Sequence, residues 1–145
     1  MALTEHIRRA WGWTGIEPSE VLGENDFGNL MVRDQQGSYW RICPEDLYCR
    51  IVANSREELD ALSRDQEFLH DWNMSALVED ARNRVGPLEP GQKYCLKIPS
   101  VLGGEYGGDN LASISLVGLI NASGHIAQQI EGLPDGSNIS FRITE

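Results

Sequence analysis

Three β-type segments follow one another in the first half of this chain, and the turns between them are too short to carry a crossover. Asn29 to Arg33 reads as a strand, and Asp34-Gln35-Gln36-Gly37 is turn chemistry. Ser38 to Cys43 resumes as a strand with Tyr39, Trp40 and Ile42. Pro44 interrupts it. Tyr48 to Ala53, with the β-branched Ile51 and Val52, is a third strand. The first two form a hairpin with a short polar loop.

At Ser55 the period changes. Ser55-Arg56-Glu57-Glu58 is a capping box, in which the Ser side chain accepts from a backbone N–H and Glu58 reaches back. Leu59, Leu62, Gln66 and Leu69 follow at helical spacing. Met74, Leu77, Val78, Ala81 and Val85 form a second helical series that Gly86-Pro87 ends. Trp72 and Asn73 mark the joint between the two. Upstream, Thr4 is placed to cap a short amphipathic helix through Ile7, Ala10 and Trp11, which Gly12 and Gly15 break.

The last third alternates again. Lys93 to Ile98 puts Tyr94, Leu96 and Ile98 on one face and Lys93, Cys95 and Lys97 on the other. Pro99 stops it, and the glycine-dense loop Gly103-Gly104-Glu105-Tyr106-Gly107-Gly108 follows. Ala112 to Leu116 reads as a strand. Leu116 to Ile130 reads as a helix with Leu116, Leu119, Ile120, Ile126, Ala127 and Ile130 inward and Gly124 as its weak point. Leu133-Pro134-Asp135-Gly136 is a turn before a final strand with Ile139, Phe141 and Ile143. Strands and helices mix without a βαβα rhythm. The expected class is α+β, a single domain with a mainly antiparallel sheet packed against helices. A short helical segment over residues 1–26 precedes the main body over 27–145.

Charge narrows the function classes. Twelve basic residues face 22 acidic ones, for a net charge of −10. Nucleic acid and anionic membranes both require clustered Lys and Arg, so neither is an expected partner. The N-terminus has no apolar run of signal-peptide length, and no apolar stretch is long enough to span a bilayer, so the expected address is the cytoplasm. Cys43, Cys49 and Cys95 are odd in number and lack zinc-knuckle spacing; they read as reduced thiols.

Motifs for catalysis are missing. The glycine loop has no Lys-Ser/Thr as a P-loop requires, and its Glu105 and Asp109 repel phosphate. His6, His70 and His125 are scattered, and no serine sits in a nucleophile elbow. Neighbouring acids such as Glu45-Asp46 and Glu79-Asp80 point apart on a regular element and make no acid–base dyad by themselves. The reading is a protein without catalytic residues, metal or cofactor.

The acids are unevenly placed. From Ser55 to Asp80 the chain carries Glu57, Glu58, Asp60, Asp65, Glu67, Asp71, Glu79 and Asp80 against Arg56 and Arg64, more than half of the net charge. Such a face either docks a basic partner or is solvated.

The stretch Gly37-Ser38-Tyr39-Trp40-Arg41-Ile42-Cys43-Pro44-Glu45-Asp46-Leu47 runs into Ile51-Val52-Ala53-Asn54-Ser55. Farther on come Gly86-Pro87-Leu88-Glu89-Pro90-Gly91, Leu102-Gly103-Gly104-Glu105-Tyr106, His125-Ile126-Ala127-Gln128-Gln129-Ile130 and Leu133-Pro134-Asp135-Gly136. From about Phe27 onward this order resembles the C-terminal domain of type VI secretion immunity proteins, a domain that often follows a GAD-like domain. Here only the short segment before Phe27 precedes the shared region.

The resemblance implies a protein that binds a cognate toxin encoded by a neighbouring gene and covers its active site. The implied toxin acts on nucleic acid, nucleotide or NAD. Such a toxin accepts anions, and an acidic inhibitor suits it. Candidate toxin-binding residues are then Glu57, Glu58, Asp60, Asp65 and Glu67 on the acidic helices, and Glu105, Tyr106 and Asp109 on the glycine loop. For Tyr106 a structural role competes with this one. Two other classes stand beside the blocker: an enzyme that reverses toxin damage, with its site at the glycine loop, and a non-inhibitory binding module of a secretion cluster.

Overall fold

The computed structural model describes residues 1–133. Four strands, β1 (Pro18–Glu24), β2 (Leu30–Asp34), β3 (Tyr39–Cys43) and β4 (Tyr48–Ala53), form an antiparallel meander in the order β1-β2-β3-β4. A second, two-stranded antiparallel sheet pairs β5 (Gln92–Leu96) with β6 (Leu111–Ser115). Among the described residues five α-helices join the sheets in an α+β fold: α1 (Leu3–Trp11), α2 (Arg56–Leu62), α3 (Gln66–Asn73), α4 (Ser75–Val85) and α5 (Leu116–Ile130).

Strand alternation divides the larger sheet into two buried faces. Leu30 and Val32 of β2 and Ile42 of β3 meet Ile7 and Trp11 of α1 and Ile120 and Ala127 of α5. On the opposite face Met31, Tyr39 and Ala53 pack with Leu59, Leu62, Phe68 and Trp72 from α2 and α3. A sheet covered on both sides explains why β2 is apolar at consecutive positions. A third cluster joins Phe27, Ala81, Tyr94, Leu96 and Leu111, so α4 packs on the β5–β6 pair.

Local chemistry accounts for most boundaries. Ser55 Oγ accepts from the Glu58 N–H, while Glu58 accepts from the Asn54 N–H, so the capping box closes one residue further out than the simplest form. The β2–β3 hairpin is held by Asp34, whose Oδ1 accepts from the N–H groups of Gln36 and Ser38 and whose Oδ2 accepts from Trp40 Nε1. α5 begins at Leu116 with Ser115 as its cap.

Several expectations are corrected. The first helix is preceded by Ala2, which supplies no side-chain cap, and Thr4 lies inside it. The helical series after Ser55 is two helices, because Asp65 accepts from the Phe68 N–H and starts a new one; the next joint is at Met74, with φ +49°. The segment over residues 1–26 is not helical throughout: Pro18–Glu24 forms β1, whose two register shifts, after Pro18 and Val21, scramble its inward positions. On β5 Tyr94 and Leu96 are inward as expected, but Ile98 lies beyond the strand and is exposed, and Lys93 is buried with its Nζ 2.9 Å from Glu24. Val85, in the helical apolar series, is exposed at the end of α4.

Gly124 is not a weak point of α5. A Cβ there would overlap the Ala10 carbonyl oxygen, so glycine lets α1 and α5 touch backbone to backbone. The first 26 residues thus supply Ile7, Trp11 and strand β1 to the main core. The turn from Leu133 to Gly136 and the strand with Ile139, Phe141 and Ile143 fall at or outside the end of the described residues.

Candidate functional site

The α3–α4 corner turns sharply because Met74 takes the left-handed conformation, ending one helix and preceding the next. Asn25 pins it from below, its Nδ2 donating to the Trp72 carbonyl at 2.8 Å. Across from this corner stands the glycine loop. Between them lies a cleft of about 410 Å³ lined by His70, Asp71, Met74, Leu77, Asp80 and Tyr106.

The loop is built rather than slack. Asn110 Nδ2 donates to the carbonyls of Ile98 and Glu105, and its Oδ1 accepts from the Ile98 N–H. Gly104 lies so close to the Ile98 carbonyl that any Cβ would overlap it. Gly107, at φ +138°, brings the chain back toward α4, where the Gly108 N–H donates to Asp80 Oδ2 at 3.3 Å. These are steric requirements for glycine, not a phosphate cradle. Tyr106 and Ser100 both donate their hydroxyls to Asp46 Oδ1. Burial, then the bond to Asp46, pushes the Tyr106 phenol up to about 12. The ring itself stays 57% exposed, held upright at the edge of the cleft.

Behind the cleft runs a buried polar chain. Arg41 donates to Asp71 at 2.5 Å and through Nε to Asn29 Oδ1 at 3.0 Å, and Asn29 Nδ2 donates to both oxygens of Glu45. The guanidinium lies over the rings of Trp72 and Phe68, with its carbon 5.2 and 5.9 Å from their centroids. Burial raises the Glu45 carboxyl above its ordinary range. Burial and the neighbouring Glu45 drive the Cys43 thiol far up, so it stays protonated and donates to Glu45.

Cys43, Glu45 and Asp46 bring three ligand atoms within 4.8 Å of one another. Their lone pairs are already engaged by Asn29, Ser100, Tyr106 and the thiol. Burial raises Cys49 and Cys95 to about 11, so neither is an activated nucleophile.

The expected site residues separate into groups. Tyr106 lines the cleft, and Glu105 and Asp109 are exposed on the same loop. Glu57, Glu58 and Asp60 on α2, and Asp65 and Glu67 at the start of α3, do not line it. Glu58 and Asp65 cap helices, and Asp60 pairs with Arg56 at 3.1 Å. Glu57 and Glu67 are exposed and have no ion-pair partner among the described residues. Sequence reasoning missed His70, Met74 and Leu77 as cleft walls. The helical spacing of Met74 and Leu77 was visible, but the outward turn at Met74 was not.

A protein-family model described as "T6SS immunity protein Tdi1, C-terminal" matches residues 53–127. The match starts later than the resemblance from Phe27, so the β2–β3 hairpin lies outside it, whereas every lining residue of the cleft lies inside. No curated protein matches. Among solved structures, one titled "Crystal structure of Atu4351 from Agrobacterium tumefaciens" is similar in fold, with a TM-score of 0.54 at 14% identity. The alignment covers 84% of this chain and 62% of that one.

Proposed function

The chain belongs to the family of T6SS immunity proteins with a Tdi1-type C-terminal region, and from that premise we propose that it binds a cognate type VI-secreted antibacterial toxin and occludes its active site. The toxin acts on nucleic acid, nucleotide or NAD and is encoded by a neighbouring gene. Family membership carries this reading, and the net charge of −10 supports it. An enzyme that binds polyanions displays a basic site, toward which an acidic inhibitor is steered.

The protein acts by binding and not by chemistry. In favour of this, the nucleophilic groups near the glycine loop are protonated or bonded to one another: Cys43 to Glu45, and Ser100 and Tyr106 to Asp46. It works in the cytoplasm, where the toxin's target lies; among the described residues no helix is long and apolar enough to cross a membrane.

Titration of the purified protein against the product of the neighbouring gene, following binding heat and toxin activity together, tests this. An occluding blocker inhibits completely near one equivalent, with a dissociation constant in about the nanomolar range. Rescue far below one equivalent would point to an enzyme that repairs damage. Binding without loss of toxin activity would point to a scaffold module.

A further inference from the structure

We infer that the cleft between the α3–α4 corner and Tyr106 is where this protein anchors its partner, and that its occupant is a basic segment of the toxin led by an arginine or lysine side chain. The inference rests on the immunity reading above and names the surface and chemistry that reading leaves open.

Wall chemistry selects the occupant. Met74, Leu77 and the Tyr106 ring supply apolar and aromatic surface, His70 an imidazole, and Asp71 and Asp80 carboxylates, of which Asp80 is engaged by Arg84 at 2.9 Å and by the Gly108 N–H while Asp71 keeps one oxygen free. Among the described residues no Lys or Arg lines the cleft. Asp71 is 69% exposed, with only one oxygen bonded to Arg41. A guanidinium or ammonium on an aliphatic stem meets all of these at once: the stem on Met74 and Leu77, the charge beside the carboxylates and over the Tyr ring. The first turn of α4 opens on the same cleft without a side-chain cap, which by itself would favour an anion. The free oxygen of Asp71 and the exposed Glu105 disfavour an anionic occupant, while Arg84 offsets Asp80 and Asp109, and those N–H groups are left to main-chain carbonyls of a peptide.

The surface continues beyond the cleft, which favours a protein over a small cation. Val101 and Ile98 are 57% and 51% exposed. Both are tied to Tyr106: Ser100, next to Val101, shares the Asp46 oxygen with it, and Asn110 bridges Ile98 to Glu105. Two exposed apolar side chains held on a clamped loop, with an aromatic at the mouth of a cleft and acids around it, form a pre-organised contact patch. A cleft of about 410 Å³ admits one long side chain and the main chain that bears it.

The experiment compares binding of the catalytically inactivated neighbouring-gene toxin to the wild type, Ala76→Arg, Tyr106→Ala and Asn121→Arg. Ala76 and Asn121 are both exposed on helices, but only Ala76 lines the cleft, so the pair separates filling the cleft from adding a charge. The expected result is at least tenfold weaker binding, chiefly through faster dissociation, for Ala76→Arg and Tyr106→Ala, with less than twofold change for Asn121→Arg. The two cleft variants sit on different elements, so a folding failure of one, seen by thermal melting, leaves the other as the test. Unchanged binding of the folded cleft variants beside a tightly binding wild type overturns the cleft and leaves the immunity reading standing. A wild type that does not bind the toxin overturns the immunity reading and the cleft with it. A wild-type dimer in light scattering that Ala76→Arg dissociates shows a second copy to be the occupant, and overturns the proposal too.

Discussion

Tyr106 donates its hydroxyl to Asp46 across sixty residues of chain, tying the glycine loop to the turn between β3 and β4. The bond makes the loop's most exposed aromatic also one of its fixed points. Structural and binding roles, which compete in the sequence, are therefore divided within one side chain: the hydroxyl holds and the ring projects.

Tyr106→Phe separates these roles. Losing the hydroxyl costs about 0.5–1.5 kcal/mol of stability at neutral pH, while the retained ring keeps partner binding close to wild type. The pH dependence has a definite sign. The folded phenol is raised from 10.0 to about 12, so its contribution is full below pH 10 and is lost as pH rises through 12. Urea titrations between pH 9 and 12 check this: the alkaline loss is smaller in Tyr106→Phe. Cys49 and Cys95, raised to about 11, contribute a loss that both proteins share.

Asp34 behaves in the opposite sense. Burial raises its pKa, but bonds from Trp40 and from the backbone of Ser38, Gln36 and Gly37 outweigh that and leave it below 3.8. Its contribution is present above the unfolded value and is lost as pH falls through the folded one. Asp34→Asn is expected to lose about 1–3 kcal/mol at pH 7, because charge-assisted bonds weaken. Chemical denaturation at falling pH should show the gap to wild type closing below 3.8; a constant gap would refute this account of the turn.

Packing between α1 and α5 depends on Gly124. Gly124→Ala improves helix propensity by about 1 kcal/mol in isolation, yet its Cβ overlaps the Ala10 carbonyl. Backbone cannot move aside as a side-chain tip can, so a net loss of about 1–3 kcal/mol is expected. A lower melting temperature checks it; a higher one would show that the helices part freely.

Glu57 and Glu67 test steering with little effect on the fold. Neither caps a helix, unlike Glu58 and Asp65. Reversing both to Lys is expected to slow toxin association on the order of tenfold and flatten its salt dependence, with a modest fall in melting temperature because both acids lie in first helical turns. Stopped-flow association at two ionic strengths reads both, and an unaltered rate would remove this face from the encounter.

The sequence by itself determined what depends on neighbours along the chain. The β2–β3–β4 meander, the Ser55 box, the bounds of α5 and the acidity of α2 and α3 all follow from local periodicity, caps and charge, and the resemblance named the family. Tertiary structure alone decided which faces meet. The bulged β1, the close contact at Gly124 and the Tyr106–Asp46 tie are set by residues far apart in sequence. The cleft is of this kind. His70, Met74 and Leu77 look like ordinary helical residues until the left-handed turn at Met74 aims them at a loop some thirty positions on. Periodicity encodes a helix's own faces; where two elements meet depends on the packing of the whole chain.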